Sequence, residues 1–337
     1  MIGQRLQMNA PTRIFFAALL VVAVGLSACM QSTSEPVEQL TIGVFKGVFS
    51  SLIWIAESQG YFPDNGLDVK IQDEYETGIA PVRDAINGEV DIATGAEFVL
   101  VSASFDNKNL KAISTIDLSD AIELVARKDH GITRPNDLRG KKIAIPKNTQ
   151  AEFFLGRFLT FNDLSLDDVH IVGMSPSDLV DAIVAGTIDA AMIWEPNIFE
   201  ISSRLGNNLI TFPGQSGQDF YFLMVTTNEV IMARREAIER FLKALLEAET
   251  FVKQYPDQAK DIITEWLGVE EDYIASVWPK NNFTTSLPQS LILAMDDEAR
   301  WRIANNLTDE KVVPNYLDYI YLDGLEALKP EAVTIIR

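Results

Sequence analysis

The chain has 337 residues, of which 47% are hydrophobic, so it is long enough for one large or two medium-sized domains with hydrophobic cores. Its formal net charge of -20 argues against binding to nucleic acid or an anionic membrane surface, because both depend on excess Lys and Arg. A single cysteine, Cys29, excludes an intramolecular disulfide and a cysteine-rich zinc site, and two histidines, His130 and His170, leave little material for a metal centre. We therefore expect neither a cofactor nor a metal.

The N-terminus has the pattern of an export signal. A positively charged start precedes the apolar run 14–25, and small residues at 26–28 form a cleavage site directly before Cys29. The run is too short to span a bilayer, and no later segment is long and apolar enough to do so. The motif resembles a bacterial lipobox, which implies that residues 1–28 are removed and that Cys29 is lipidated. A plain signal peptide with an incidental cysteine is the alternative. Residues 29–39 read as a tether.

From residue 40 onward, short apolar segments alternate with helical patterns. Strands are predicted at 40–45, 69–72, 91–94, 111–116, 121–126, 142–146 and 190–193. Helices are predicted at 51–59, 82–87 and 151–161, and the sequence from residue 255 onward is helical in pattern. Strands separated by single helices indicate an α/β protein with mainly parallel sheets and helices on both faces.

Two parts of the chain repeat one pattern. Gly88-Glu-Val-Asp-Ile-Ala93 precedes Glu97, and Gly186-Thr-Ile-Asp-Ala-Ala191 precedes Glu195 at the same offset. The distance between the copies is far too long for a solenoid repeat. It predicts two similar lobes, each with a strand that ends near one of the two glutamates. Chance similarity is the alternative, because helix-glycine-strand junctions look alike in many α/β proteins.

A ligand site is expected beyond the carboxyl ends of these strands, where helix N-termini present free N–H groups. The loops after four strands, together with the apolar segment 220–225, supply aromatic, polar and carboxylate side chains that suit a small molecule. The candidate ligand-binding residues are Lys46, Phe49, Ser50, Ser51, Glu97, Thr149, Gln150, Trp194, Glu195 and Tyr221.

Most candidates also have a purely structural interpretation. Trp194 could be an ordinary core residue, Glu195 could stabilise the N-terminus of the next helix by its charge, and Lys46 could be a solvated loop cation. Helix capping is the alternative for four polar candidates, namely Ser50, Ser51, Thr149 and Gln150.

Five segments in this order resemble the substrate-binding proteins of ABC importers. They are the strand and loop at 40–51, "QGYFPDNGLDV", "INGEVDIATGAE", "DLRGKKIAIPKNTQ" and "AGTIDAAMIWEP". Within that class, the chain resembles the NMT1/THI5-like branch, whose members bind aliphatic sulfonates, nitrate or thiamine precursors. The resemblance covers roughly residues 40–252.

This resemblance implies a two-lobed periplasmic binding protein of type II, in which each lobe is a mainly parallel sheet flanked by helices. Two crossing strands, expected at 121–126 and 220–225, would join the lobes. Lobe 1 would then contain residues 40–125 and 226–337, and lobe 2 residues 126–225.

The resemblance also implies a function in import. The exported protein would be a monomer, held on the cell membrane by its lipid and facing the periplasm or the exterior. It would close on a small molecule by a hinge motion and deliver it to a permease with a cytoplasmic ATPase.

The class of ligand depends on the charges that face the cleft. Two carboxylates there would repel a small anion, and Lys46 is the only obvious cation among the candidates. We therefore expect a pyrimidine-like or other nitrogen heterocycle, with its ring among Phe49, Trp194 and Tyr221 and its N–H groups bound by Glu97 or Glu195. A sulfonate or nitrate oxyanion is the alternative.

Two other classes of function compete with import. The THI5-like enzymes that make a pyrimidine use a cysteine-rich segment and a reactive histidine. This chain has no cysteine cluster and no histidine in the predicted cleft, so catalysis is not expected. A sensory lipoprotein that reports to a membrane partner without transport fits the same sequence.

Overall fold

Two β-sheets flanked by helices make up the computed structural model, which describes residues 36–337. The predicted signal peptide, the lipidation site Cys29 and most of the predicted tether lie outside the described residues. Within residues 36–337, no helix has the length and apolar character needed to cross a membrane.

The first sheet has six strands: β1 (Glu38–Phe45), β2 (Leu67–Tyr75), β3 (Ile92–Ala96), β4 (Leu110–Ser119), β10 (Phe220–Thr227) and β11 (Asn281–Asn282). Their order across the sheet is β11-β4-β10-β3-β1-β2. Strands β1, β2 and β3 are parallel, whereas β10 runs antiparallel to both of its neighbours. Every residue of β3 and β10 is buried, as expected for central strands that are covered on both faces.

The second sheet repeats this arrangement with five strands: β5 (Ile122–Arg127), β6 (Lys142–Ile145), β7 (His170–Gly173), β8 (Ala190–Trp194) and β9 (Leu209–Pro213). Their order is β7-β6-β8-β5-β9, so β6, β7 and β8 correspond to β1, β2 and β3. In each sheet, an antiparallel strand lies beside the third parallel strand: β10 beside β3, and β5 beside β8. The two copies of the sequence repeat fall on β3 and β8, which are equivalent strands.

The chain passes between the sheets at two connections, residues 120–121 and 214–219. The segments expected to cross between lobes instead form β5, which lies wholly in the second sheet, and β10, which lies wholly in the first. Both segments are apolar enough to pair along their whole length as central strands. Gln215 holds the connections together, because its side chain accepts a hydrogen bond from the Ile122 N–H and donates one to the Ser119 carbonyl. The changes of sheet precede the predicted lobe boundaries by several residues, and the lobe division itself stays a prediction.

Thirteen α-helices are present within the described residues. They are α1 (Ser51–Ser58), α2 (Tyr61–Asp64), α3 (Ile79–Ile86), α4 (Glu97–Ser104), α5 (Gln150–Phe161), α6 (Pro176–Ala185), α7 (Asn197–Leu205), α8 (Asn228–Ala233), α9 (Arg235–Gln254), α10 (Pro256–Leu267), α11 (Glu271–Val277), α12 (Gln289–Ala304) and α13 (Asp323–Leu328). The helical pattern predicted from residue 255 onward corresponds to α10–α13. Helix α10 packs on α1, and α12 packs on α4, so this region covers helices of the first sheet.

Helix α6 shows how the sequence sets the helix boundaries. The Ser175 hydroxyl accepts a hydrogen bond from the Asp178 N–H, and Pro176 follows as the first helical residue, a position where its missing N–H costs nothing. At the other end, Gly186 adopts a left-handed conformation with φ 75°, which glycine adopts without steric strain.

Candidate functional site

A narrow cavity lies where the carboxyl ends of strands from the two sheets face each other. Five lining residues belong to the first-sheet side and three to the second-sheet side: Phe45, Phe49, Gly78, Ala96 and Phe222, and then Thr149, Gln150 and Trp194. The cavity contains about 240 Å³ of space between atoms, but its free volume has room for only about one water molecule. The two halves of the molecule therefore meet closely around it.

Helix N-termini surround this cavity. Gly78, Ala96 and Thr149 are the N-cap residues of α3, α4 and α5, and Phe49 lies in the turn that leads into α1. In the described structure, no side chain at these three N-caps accepts a hydrogen bond from the first turn. The first N–H groups of a helix lack carbonyl partners within that helix, and the helix dipole adds partial positive charge. These helix N-termini therefore suit the hydrogen-bond acceptors of a ligand, and none of the described residues that line the cavity is charged.

The position of α3 depends on a close approach between two glycines. A Cβ atom at Gly78 would lie 2.7 Å from the Cα atom of Gly95, a distance that real Cβ atoms essentially never show. Glycine at position 78 thus allows the N-terminus of α3 to lie directly against the end of β3.

Aromatic rings form the apolar part of the cavity wall. The centroids of Phe45 and Phe49 are 6.0 Å apart, and the Phe222 ring lies 5.9 Å from the first and 5.6 Å from the second. Trp194, at the end of β8, contributes a large ring from the other side and is only 2% exposed. These rings can enclose the organic part of a ligand.

Four of the ten predicted site residues line this cavity, namely Phe49, Thr149, Gln150 and Trp194. Lys46 lies outside it, in a depression of about 700 Å³ at the rim, where its ammonium group is 3.6 Å from the Asp73 carboxylate. Three more carboxylates line this rim: Glu74, Glu76 and Glu200. The Ser177 hydroxyl donates a hydrogen bond of 3.2 Å to Glu76, so the second-sheet side contacts the first-sheet side at the rim.

The two predicted serines support the wall rather than line it. The Ser50 hydroxyl donates to the Phe45 carbonyl at 2.7 Å, and the Ser51 hydroxyl donates to the Val48 carbonyl at 2.5 Å. Both residues are fully buried. They hold the turn between β1 and α1, which positions Phe49.

Tyr221 is also absent from the lining, because side chains alternate along a strand. Phe222 on β10 points into the cavity, so the adjacent Tyr221 points to the opposite face of the sheet. Its hydroxyl is near Glu97 and Glu298, and burial raises the pKa of Tyr221.

Glu97 does not line the cavity either. It is fully buried in the contact between α4 and α12, where its carboxyl group lies beside that of Glu298. Burial raises the pKa of Glu97 to about 8. Burial and the neighbouring Glu97 carboxylate raise the pKa of Glu298, on α12, well above its ordinary value. At neutral pH this pair therefore carries less than its formal charge.

Glu195 has the geometry of a residue that stabilises the N-terminus of the next helix, which was the structural alternative to ligand binding. Its Oε2 accepts a hydrogen bond of 3.0 Å from the Phe199 N–H, in the first turn of α7. The residue is 5% exposed, and burial raises the pKa of Glu195 to about 7. The expectation that Glu97 and Glu195 face the ligand thus differs from the structure, which places both carboxylates outside the cavity lining.

Four lining residues were missed by the sequence analysis. Phe45 and Ala96 are the last residues of β1 and β3, so the rule that ligands bind beyond strand ends could have found them. Gly78 has no side chain to signal a site. Phe222 is internal to β10, and only its pairing with Ala96 brings it to the cavity.

Comparisons with known proteins agree with this architecture. The family model described as NMT1/THI5 like matches residues 50–259. A Brucella abortus protein, named as a binding protein without a stated ligand, is 28% identical over 76% of this chain and 79% of its own length. The taurine-binding periplasmic protein of Escherichia coli is 24% identical over 82% of this chain and 83% of its own length.

A similar fold is found among solved structures. The alkanesulfonate-binding protein SsuA from Xanthomonas axonopodis, bound to MOPS, superposes with a TM-score of 0.74 at 18% identity. The match covers 86% of this chain and all of SsuA. Each half thus has the architecture expected of a periplasmic binding protein. Within residues 36–337, no cluster of three or more His, Cys, Asp or Glu residues is suited to hold a metal.

Proposed function

The chain belongs to the NMT1/THI5-like family, and we propose that it is the solute-binding component of an ABC importer that captures an organic oxyanion of the sulfonate type. In this proposal, the exported protein is anchored through Cys29, binds its ligand between the two sheets and delivers it to a permease. The convergence of helix N-termini on an aromatic cavity carries the assignment.

The positions of the carboxylates favour an oxyanion over the nitrogen heterocycle expected from the sequence. That expectation required Glu97 or Glu195 to face the ligand. Glu97 is instead buried against α12, and Glu195 accepts a hydrogen bond from the backbone of α7. With both carboxylates outside the lining, the N-termini of α3, α4 and α5 dominate the electrostatics of the cavity.

The relatives support the same ligand class. The E. coli relative is named for taurine, and the SsuA structure is named for alkanesulfonates. A sulfonate group suits backbone N–H donors at helix N-termini, and the organic group attached to it suits the rings of Phe45, Phe49, Phe222 and Trp194.

Ligand binding requires the halves built on the two sheets to separate and then to close again. The free volume of the cavity has room for about one water molecule, so an organic ligand enters only when the halves move apart, and the ligand-bound form is wider at this cavity than the form described here. A ligand that contacts both halves then stabilises the closed form, because it makes its full set of contacts only in that form.

The proposal is tested by removing one N–H donor at the N-terminus of α5. Proline at position 150, the first residue of α5, lacks an N–H but fits a helix start, and the extended conformation of Thr149 is compatible with a following proline. We expect Gln150→Pro to weaken taurine binding at least about tenfold in a calorimetric titration, because a hydrogen bond to a charged group contributes about 1.5–3 kcal/mol.

Two control variants separate the N–H from other effects. Gln150→Ala keeps the N–H and removes the side chain. Glu271→Pro places proline at the equivalent position of the distant helix α11, where Glu270 is also extended. Equal taurine affinities for Gln150→Pro and Gln150→Ala would contradict a role for this N–H in binding an oxyanion.

A further inference from the structure

Helix α12 contacts both halves of the molecule. It packs on α4, which follows β3 of the first sheet, and it also contacts α5, which follows β6 of the second sheet. The chain enters α12 from segments that pair with β4 of the first sheet, since Asn281 pairs with Ser119 and Thr115 donates to the Thr284 carbonyl. Helix α12 is therefore carried by the first-sheet half, and its contacts with α5 cross between the halves.

An aromatic cluster forms the centre of this crossing contact. The Trp301 ring of α12 lies 6.1 Å from Phe98 of α4 and 5.6 Å from Phe153 of α5, measured between centroids. Phe98 and Phe153 are themselves 5.9 Å apart and almost fully buried. Each of the three rings thus contacts a ring from the other half.

Gly156 makes room for this cluster. A Cβ atom at position 156 would lie 2.5 Å from Cζ2 and 2.8 Å from Cε2 of Trp301. Gly156 is inside α5, where glycine is less favourable to the helix than alanine. Its lack of a side chain is accounted for by the approach of Trp301 and not by the needs of α5 itself.

Polar contacts flank the cluster and connect it to the cavity. Arg157 Nη1 lies 3.3 Å from Asp297 Oδ2, and the Arg302 guanidinium lies 3.4 Å from Asn148 Oδ1. Asn148 directly precedes Thr149, the N-cap of α5 and a lining residue of the cavity. The contacts of α12 therefore help to position the turn that places the N-terminus of α5 at the cavity.

We infer that Gly156 and Trp301 are positioning residues that set the ligand affinity without touching the ligand. Their contact crosses between the halves and stabilises the arrangement described here, so it contributes to the population of the closed form. The apparent dissociation constant rises as the population of the binding-competent form falls. The inference rests on the proposed function only in that the closed form is the one that holds the ligand.

The test uses Gly156→Ala, whose added methyl group meets the Trp301 ring in the closed form. We expect this variant to fold with a full helical signal and to bind taurine roughly tenfold more weakly. Gly156→Ala combined with Trp301→Leu should regain most of the lost affinity, because leucine leaves room for the methyl group. Ser202→Ala, on the exposed side of α7, is the control that should bind as the parent does.

A second measurement reports closure without any ligand. In a Cys29→Ser background, which removes the only cysteine of the sequence, Glu76→Cys and Ser177→Cys place thiols on opposite sides of the rim. The rate of their cross-linking by a short bismaleimide follows the population of the closed form. We expect Gly156→Ala to slow cross-linking about tenfold and the added Trp301→Leu to restore the rate.

The outcomes distinguish this inference from the proposed function. A cross-linking rate that Gly156→Ala leaves unchanged, or a double variant worse than both single variants, would overturn the inference. Cross-linking that changes as expected in a protein that binds no sulfonate would support the inference and contradict the proposed ligand class. If Gly156→Ala does not fold, Trp301→Leu alone decides the matter: slower cross-linking supports the inference, and an unchanged rate overturns it.

Discussion

Glu97 and Glu195 occupy equivalent positions in the two sheets, yet their environments differ. Each directly follows the third parallel strand of its sheet, β3 or β8. Glu97 is fully buried beside a second carboxyl group, that of Glu298, whereas Glu195 accepts a hydrogen bond from the Phe199 N–H. The same sequence pattern has therefore produced two different roles for one carboxylate.

The difference follows from where the next helix begins. Helix α4 begins at Glu97 itself, so the glutamate is carried on the helix and lies in its contact with α12. Helix α7 begins at Asn197, two residues after Glu195, so this carboxylate can reach back to an N–H group of the first turn. A small offset in the helix start thus decides whether a repeated residue is buried or caps a helix.

The largest expected effect of this difference is the pH dependence of stability that Glu97 causes. A carboxyl group with a raised pKa in the folded protein keeps a proton that the unfolded chain has released. The free energy of unfolding therefore falls as the pH rises from the ordinary pKa of 4.5 to the folded value of about 8. We expect Glu97→Gln to remove this loss and to be more stable than the parent at pH 8, with a difference that grows as the pH rises from 5 to 8.

Urea denaturation at pH 5 and pH 8 measures this difference. At pH 5 the parent and Glu97→Gln should have similar stability, since the glutamate is then mainly protonated in the folded protein. The measured quantity is the difference in free energy of unfolding between the parent and Glu97→Gln. If this difference is the same at pH 5 and pH 8, Glu97 is ionised in the folded state.

Glu195 should change the free energy of unfolding less than Glu97 does, and over a narrower range of pH. Its pKa is raised to about 7, so the corresponding loss of stability extends from pH 4.5 to about 7 and amounts to about 2 kcal/mol or less. In the same denaturation series, Glu195→Gln should remove this loss and keep an oxygen that can accept from Phe199. Glu195→Ala should lose in addition about 1 kcal/mol, the usual contribution of a helix cap. Identical stabilities of the two variants would argue against capping by Glu195.

The parts of the fold that depend on local pattern could be predicted from the sequence. Segments 40–45, 142–146 and 190–193 form β1, β6 and β8, and the helix predicted at 151–161 is α5 with one more residue. Strand β2 extends to Tyr75, beyond its predicted end at residue 72, because pairing with β1 continues through charged residues. Which sheet β5 and β10 join could not be read from their apolar character, since it depends on neighbours that are distant in sequence.

The sequence predicted which strand ends form the candidate site, but it did not predict which charged groups face the cavity. The positions of Phe49, Thr149, Gln150 and Trp194 follow from the rule that ligands bind beyond strand ends. The direction of the Glu97 side chain depends on Glu298, about 200 residues away, and no local pattern contains that contact. The ligand class was deduced from the direction of two carboxylates, and that direction depends on contacts that the local sequence does not contain.

The most direct test of the account is a calorimetric titration of the purified protein at pH 7 with taurine, a longer alkanesulfonate and a hydroxymethylpyrimidine. A cavity surrounded by helix N-termini, with both carboxylates outside its lining, predicts binding of at least one sulfonate and no heat from the pyrimidine. Tight binding of the pyrimidine with no response to either sulfonate would contradict the account.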